Sequence, residues 1–300
     1  MCLFRGSDED GWPRANRVGM APRLAVAAAV GLIATVAHVR AQDDAPSPPA
    51  QRQSAMARAM RAEAEEVVIE VKRGEAREKV GLRGEPAYRF DDPARGFLDG
   101  MVWACGRSGR PVALLTVSAE KKAGGERYWL HEMTSLTDGP LTASGRGWRE
   151  TWEPDGSDLS FVPLPKAPMP AADEARRLRQ MKELVRGLKA YELHGPEATR
   201  DELRLLTQPI LRYADPASGL VDGAIFLLAF GTNPEAALLV EARGGGGTAP
   251  TWSIGIARIT TAGIHIDLDG QEAWNRSGQV RNSSRGPYWY HLKPMETVGP

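Results

Sequence analysis

The sequence predicts an α+β protein of two repeated units, each an N-terminal helix packed on a curved antiparallel sheet of about four strands. Two observations predict this class. A twelve-residue segment occurs twice, as RFDDPARGFLDG from Arg89 and as RYADPASGLVDG from Arg212. Near each copy, a segment with helical spacing of apolar residues precedes segments in which apolar and polar residues alternate. A β-sandwich without the helices is the alternative fold.

The repeat extends beyond these twelve residues. An offset of 123 residues aligns residues 80–117 with residues 203–240 without a gap, and 13 of the 38 aligned pairs are identical. Composition alone would give about two or three identities. The matches indicate an internal duplication of a unit of about 120 residues.

The duplication suggests how the chain is divided. Residues 53–148 form the first predicted unit and residues 173–275 the second. Between them, residues 149–172 are proline-rich and predict an extended connector. Residues 42–52 are expected to be a linker, and residues 276–300 a C-terminal tail.

Each predicted unit begins with an amphipathic helix. In the segment 173–193, apolar residues from Leu178 to Leu188 recur at helical spacing, and Asp173 can cap the first turn. The segment 54–71 shows similar spacing.

The segments after each helix predict antiparallel sheet. TWSIGIARIT (251–260) and GIHIDLDG (263–270) alternate apolar and polar residues, which is typical of strands with one buried face. GAIFLLAF (223–230) and AALLVEA (236–242) are continuous apolar runs joined by GTNPE, which predicts a hairpin with both faces covered. The first unit has counterparts to these segments.

The repeated Asp-Pro segment predicts a turn. The Asp side chain can bond the backbone ahead, Pro restricts φ to about −65°, and the Gly three residues after Pro can adopt a positive φ. The following Asp99-Gly100 and Asp222-Gly223 predict a bend, bulge or tight turn in the strand.

Four residues are candidate ligand contacts, Trp129, Trp252, Asp99 and Asp222. The two tryptophans are equivalent in the repeat, and exposed aromatic rings can stack on sugars or peptides. The two aspartates, with a neighbouring arginine in each copy, could form paired sites for a cation or a polar ligand. Packing and turn formation are the favoured roles of these four residues.

Composition and motifs exclude several classes of function. The 38 basic residues balance the 38 acidic ones, so no nucleic-acid partner is predicted. The histidines lack zinc-binding spacing, and the sequence contains no serine-hydrolase elbow and no P-loop. No catalytic residue, cofactor or metal site is therefore predicted. Acidic segments such as WEPDGSD (152–158) do not complete a calcium loop and are interpreted as solvated turns.

The N-terminal region has the features of a secretory signal peptide. Arg23 precedes an apolar run from Leu24 to Ala37, and Val39-x-Ala41 matches a cleavage site. Residues 1–41 are therefore predicted to be a signal peptide, with translation starting at Met20 and a periplasmic or extracellular location. The run is too short for a stable membrane span, so none is predicted in the mature chain.

Three segments carry a resemblance to a known group of proteins. RRLRQMKELVRGL, LRYADPASGLVDGAIF and the pair WEPDG with FVPLP resemble exported bacterial proteins with a tandem repeat, over most of residues 150–275. No activity, cofactor or site residue comes with this resemblance.

A non-enzymatic binding or interaction protein of the cell envelope is the leading functional hypothesis, with an unknown envelope ligand or protein as its partner. It depends on the duplication, the neutral charge, the eight tryptophans and the lack of catalytic spacing. A hydrolase of an envelope polymer, using carboxylates such as Glu153, Asp155 or Asp222, is one alternative. A purely structural envelope component is the other.

Overall fold

A computed structural model describes residues 48–195, 198–244, 249–279 and 281–295, with side chains described from residue 53 onward. The predicted signal peptide at residues 1–41 lies outside the described residues. The first described element is helix α1, Pro48–Glu65, which begins within the segment expected to be a linker.

Seven strands follow α1 in the first half of the chain: β1 Val68–Arg73, β2 Ala76–Val80, β3 Tyr88–Asp92, β4 Phe97–Cys105, β5 Ala113–Lys121, β6 Arg127–Ser135 and β7 Leu141–Ser144. A short 3-10 turn, Pro93–Arg95, separates β3 from β4. The segment expected to be a connector contains a strand of its own, β8 Ser160–Pro163.

The second half begins with helix α2, Glu174–Val185, whose first turn is capped by the Asp173 carboxylate accepting from the Arg176 N–H at 2.8 Å. Nine strands follow it: β9 Leu188–His194, β10 Thr199–Leu205, β11 Leu211–Asp215, β12 Leu220–Phe230, β13 Asn233–Arg243, β14 Thr251–Arg258, β15 Gly263–Leu268, β16 Gln271–Arg276 and β17 Tyr288–Pro294. The 3-10 turn Pro216–Ser218 separates β11 from β12.

The predicted α+β class is wrong, because the described chain is mostly β. Two helices accompany seventeen strands among the described residues, and the largest antiparallel sheet has nine strands rather than about four. Several strands that the sequence patterns do not predict follow directly after the helices. β9 and β10, LKAYELH and TRDELRL, are rich in charged residues, which are weak signals for strands.

The two halves have the same strand connections. In the second half the order is β16-β15-β9-β10-β12-β13-β14-β8, with β11 also paired to β12. In the first half the corresponding strands form two sheets, β2-β1-β7 and β17-β6-β5-β4-β3. A bridge between Leu82 and Cys105 links them, and it matches the pair Leu205 and Leu228 of β10 and β12 at the offset of 123 residues. The backbone pairing therefore repeats with the sequence.

The two halves exchange edge strands. β8 follows the first half in the chain but pairs with β14 of the second half. Conversely, β17 follows the second half but pairs with β6 of the first half along its whole length. The nine-stranded and the five-stranded sheet are therefore each completed by a strand that follows the other half in the chain, and backbone hydrogen bonds join the halves.

Three apolar cores explain the continuous apolar runs. Met101, Trp103 and Cys105 of β4 pack in a core with α1. Val102 and Ala104, which point to the other face of β4, pack in a second core shared with β12 and β13. A third core encloses α2 between strands from both ends of the nine-stranded sheet, so that this sheet curls around it. The central strands are buried on both faces because the two halves pack against one another.

The repeated Asp-Pro segments have the same backbone shape. Asp92 and Asp215 have φ/ψ of −148/74° and −150/79°, and Gly96 and Gly219 have φ of +90° and +76°. The predicted positive φ at these glycines is confirmed. In each copy the glycine N–H donates to the proline carbonyl, at 3.2 Å and 3.1 Å.

The second glycine of each repeat makes room for an aromatic ring. Gly100 pairs with Phe90 across β3 and β4, and Gly223 pairs with Tyr213 across β11 and β12. A Cβ atom on either glycine would lie less than 3.0 Å from atoms of that ring. Phe90 and Tyr213 are buried in the core between the halves, so the rings have little space to move.

We therefore expect Gly100→Ala and Gly223→Ala each to lower the free energy of unfolding by about 1–3 kcal/mol through overpacking. Urea unfolding followed by tryptophan fluorescence measures this loss. Gly81→Ala is the matched control, since a Cβ there meets no atom within 4 Å. An equal loss in all three variants would show that the ring contacts are not the cause.

Candidate functional site

The two predicted tryptophans lie in cores rather than on an open surface. Trp129 is 7% exposed and packs with α1, and Trp252 is 2% exposed and packs with α2. Their rings are consequently not available for stacking on a sugar or a peptide in this conformation.

The two predicted aspartates form ion pairs at equivalent positions. Asp99 accepts from the Arg89 guanidinium, including a bond from Nε at 2.9 Å. Asp222 accepts from Arg212 at 2.5 Å and from Arg177 of α2 at 2.7 Å. Each carboxylate is therefore bound by an arginine of the neighbouring strand, and the structure does not bring the two together at one site.

The other acidic candidates also have partners. Glu153 and Asp155 both contact Arg285 on the surface. These carboxylates do not meet Asp222, so the residues proposed for a hydrolase form no common group.

Two related clefts lie where the halves meet. The acidic cleft, of about 240 Å³, is lined by Arg95, Glu132, Asn233, Glu235 and Tyr288, among others. The basic cleft, of about 230 Å³, is lined by residues that include Arg73, Arg107, Arg110, Asp215 and Arg243.

The clefts are related by the repeat. Five lining residues of the acidic cleft have their equivalents, at the offset of 123 residues, in the lining of the basic cleft: Arg95 with Ser218, Phe97 with Leu220, Glu120 with Arg243, Asn233 with Arg110 and Glu235 with Val112. The two clefts have similar volumes, but their chemistry differs at four of these five pairs, since only Phe97 and Leu220 are both apolar.

The acidic cleft draws its side chains from both halves. Glu235 and Asn233 alternate at the start of β13, so both side chains point to one face. Arg95 comes from the 3-10 turn after β3, and its guanidinium lies over the Phe230 ring at 5.0 Å. Glu132 comes from β6, and the exchanged strand β17 contributes Tyr288.

Hydrogen bonds hold these groups in place. The Glu235 carboxylate accepts from Arg95 Nη1 at 2.8 Å and from Asn233 Nδ2 at 2.7 Å. The Tyr288 hydroxyl donates to Glu132 at 2.5 Å. Behind Glu235, the fully buried Glu192 of β9 lies 3.4 Å from the same Arg95 nitrogen. Arg95 thus faces two carboxylates at once.

The pKa values of these glutamates are raised. Burial raises the pKa of Glu132 to about 7, against the bond from Tyr288. Burial, followed by the charge of Glu192, raises the pKa of Glu235 to about 8, although Arg95 opposes the shift. Burial also raises the pKa of Glu192, with Arg95 again acting in the opposite direction. Near neutral pH the cleft therefore holds protonated carboxyl groups.

The acidic cleft also contains fewer cations than carboxyl groups. Arg95 is shared by Glu192 and Glu235, whereas Glu132 accepts from the neutral Tyr288 hydroxyl. Lys122 at the rim contacts Glu120 instead. Such a site can bind a cation while releasing a proton, or exchange protons with a bound molecule.

These glutamates are not among the candidate site residues that the sequence predicts. Glu132 and Glu235 each lie in or beside an apolar run, within WLHEMTS and before AALLV. A lone acidic residue in such a run is the signal that could have identified them, because an unpaired buried carboxylate is costly.

Comparison with known proteins does not identify the chain. No family model matches it. No curated protein and no solved structure matches it either. Within the described residues, neither helix combines the length and the apolar character that crossing a membrane requires.

Proposed function

We propose that this chain is an exported binding protein whose acidic cleft holds a small ligand bearing a primary amine. The observation that carries the proposal is the excess of buried glutamates over cations at the junction of the halves. An ammonium group would supply the missing charge, with Glu132 and Glu235 as its acceptors. The Asn233 amide and the Tyr288 hydroxyl are further polar groups at the ligand.

The size of the cleft limits the ligand. A volume of about 240 Å³ corresponds to that of about eight water molecules. A short aliphatic diamine or an amino acid side chain fits within this volume, whereas a folded partner would contact only the rim.

Isothermal titration calorimetry with putrescine tests the proposal, with butane-1,4-diol as an uncharged analogue of the same length. We expect binding of putrescine and no measurable binding of the diol. Titration in buffers of different ionisation enthalpy counts the protons released. Both carboxyls have raised pKa values and are partly protonated near neutral pH, so putrescine binding at pH 7.5 should release protons.

Two variants connect binding to the cleft. Glu132→Gln and Glu235→Gln preserve side-chain shape but remove the charge, and each should weaken putrescine binding by about tenfold or more. Glu153→Gln, a surface carboxylate paired with Arg285, is the control and should bind like the parent chain. Equal binding in all variants, or binding without proton release, would contradict the proposal.

Acid–base catalysis is the second candidate function. Carboxyl groups with pKa values of about 7 and about 8 in one cleft can donate and accept protons at neutral pH. Release of soluble fragments from purified peptidoglycan, lost in both Glu132→Gln and Glu235→Gln, would favour this candidate. In this candidate, Glu132 and Glu235 take the place of Glu153, Asp155 and Asp222 as the carboxylates of a hydrolase.

The proposed export depends on the sequence of residues 20–41. Mass spectrometry of the N-terminus of the protein produced in bacteria tests it. We expect a mature chain that begins at Gln42, whereas retention of residues 1–19 would contradict both the start at Met20 and cleavage.

A further inference from the structure

A separate group of possible metal ligands lies on the sheet of the second half, next to the acidic cleft. Glu192 and His194 are two residues apart on β9, so their side chains point to the same face. Asp201 of β10 is the direct cross-strand partner of Glu192 and therefore shares that face. One ligand atom from each residue lies within 4.8 Å of the others.

Two of these groups have buried polar atoms that form no well-aligned hydrogen bond among the described residues. Glu192 is fully buried and neither of its oxygens forms such a bond, although Arg95 lies 3.4 Å from Oε1 and the Glu235 carboxyl is a second close neighbour. Among the described residues, the buried Nδ1 atom of His194 likewise forms no well-aligned hydrogen bond, and it lies 3.2 Å from Asp201 Oδ2. Leaving buried polar atoms unpaired destabilises a fold, and a bound ion would remove that cost.

We propose that Glu192, His194 and Asp201 bind a divalent transition-metal ion of the zinc type. Imidazole nitrogen and carboxylate oxygen are both zinc ligands, and three protein ligands would leave the fourth position to water or to a bound molecule. The imidazole favours zinc over magnesium or calcium, which prefer oxygen ligands alone. Two adjacent strands hold all three side chains, so small rotamer changes suffice to close the site.

The acidic cleft and the metal site share a boundary. Arg95 contacts both Glu235 and Glu192, so an ion bound at Glu192 would change the charge that Arg95 presents to the cleft. The metal proposal nevertheless does not depend on amine binding, because its ligands are different residues.

Titration with zinc chloride tests the proposal on the full chain, after removal of any affinity tag and treatment with a chelator. His194→Ala is expected to weaken zinc binding by about tenfold or more, since it removes a direct ligand. His194 is partly exposed at the end of β9, so the variant should keep its fold, which circular dichroism verifies. Asp201→Asn removes the charge of a second ligand and should also weaken zinc binding.

The chain offers a matched control in His265. This residue also lies on the second-half sheet and pairs with a carboxylate, Glu272, at 2.7 Å. His265→Ala should bind zinc like the parent chain, and excess magnesium should not compete. The proposal is overturned if the parent chain binds no zinc, if His194→Ala binds as the parent does, or if both histidine variants lose affinity equally.

The two proposals can fail separately. Glu132→Gln should retain zinc binding, and His194→Ala should retain putrescine binding when zinc is absent. If either variant binds neither zinc nor putrescine, that variant has lost its fold. Asp201→Asn then tests the zinc proposal, and Glu235→Gln tests the amine proposal.

Discussion

Glu241→Ala is expected to lower the free energy of unfolding by about 3–5 kcal/mol, the range for breaking a buried ion pair. Glu241 is fully buried on β13. It accepts two bonds from Arg110 at 2.7 Å, one from Arg243 at 2.7 Å and one from the Tyr213 hydroxyl at 2.9 Å. Removing the carboxylate takes this partner from two guanidiniums, those of Arg110 and Arg243, and from the buried Tyr213 hydroxyl.

The pKa of Glu241 agrees with this role. Burial would raise that pKa, but the bonds and charges of Arg110 and Arg243 outweigh burial and lower it. The ion pair therefore stabilises the fold above pH about 4.5, and this contribution is lost as the pH falls through the lowered pKa.

Urea unfolding at pH 7 measures the effect of Glu241→Ala. Glu78→Ala is the control, because Glu78 also contacts two arginines, Arg107 at 3.1 Å and Arg73 at 3.4 Å. Both of these arginine side chains are largely exposed. Exposed pairs contribute about 0–1 kcal/mol. Similar losses in the two variants would contradict the importance of the buried pair.

We also expect the free energy of unfolding to fall as the pH rises from 5 to 8. Glu132 and Glu235 have pKa values of about 7 and about 8 in the folded chain, above the ordinary value of 4.5. In this range the folded state binds more protons than the unfolded state. Their stabilising contribution is complete below pH about 4.5 and is lost as the pH rises through 7 and 8.

The expected loss is a few kcal/mol, since one pKa unit corresponds to about 1.4 kcal/mol. Carboxyl groups with lowered pKa values, such as those of Glu241 and Glu63, titrate at lower pH. They therefore do not change the slope of stability between pH 5 and pH 8. Urea unfolding at several pH values between 5 and 8 measures the slope.

Glu235→Gln should flatten this pH dependence and make the protein more stable than the parent at pH 8. Gln is neutral at every pH, and Arg95 keeps Glu192 as its partner. Glu153→Gln should leave the slope unchanged, because this exposed carboxylate pairs with Arg285 on the surface. A parent chain whose stability does not fall from pH 5 to pH 8 would refute the raised pKa values.

The central hairpins and the Asp-Pro turns could be predicted from sequence because their signals are local. GAIFLLAF and AALLVEA form β12 and β13, and TWSIGIARIT forms β14, as the patterns predict. The fold class could not be predicted because the remaining strands depend on distant partners. The predicted helix over 173–193 ends at Val185, since the sheet pairs LKAYELH with β10 and β15 as a strand.

The acidic cleft could not be predicted for a related reason. Glu132, Glu192 and Glu235 lie on three strands that are distant in the chain, and β17 brings Tyr288 to Glu132 only after the edge strands have been exchanged. No spacing in the sequence records that arrangement. The sequence does show an acidic residue within or beside an apolar run. Burial of such a residue raises the pKa of its carboxyl group.

Carbon-13 NMR titration of the glutamate side-chain carboxyls is the most direct test of the acidic cleft. Assignment by comparison with Glu132→Gln and Glu235→Gln identifies the two resonances. We expect midpoints at pH about 7 for Glu132 and about 8 for Glu235. Midpoints near 4.5 for both would mean that the cleft holds no protonated carboxyl at neutral pH, and the proposed exchange of a proton for an amine would be wrong.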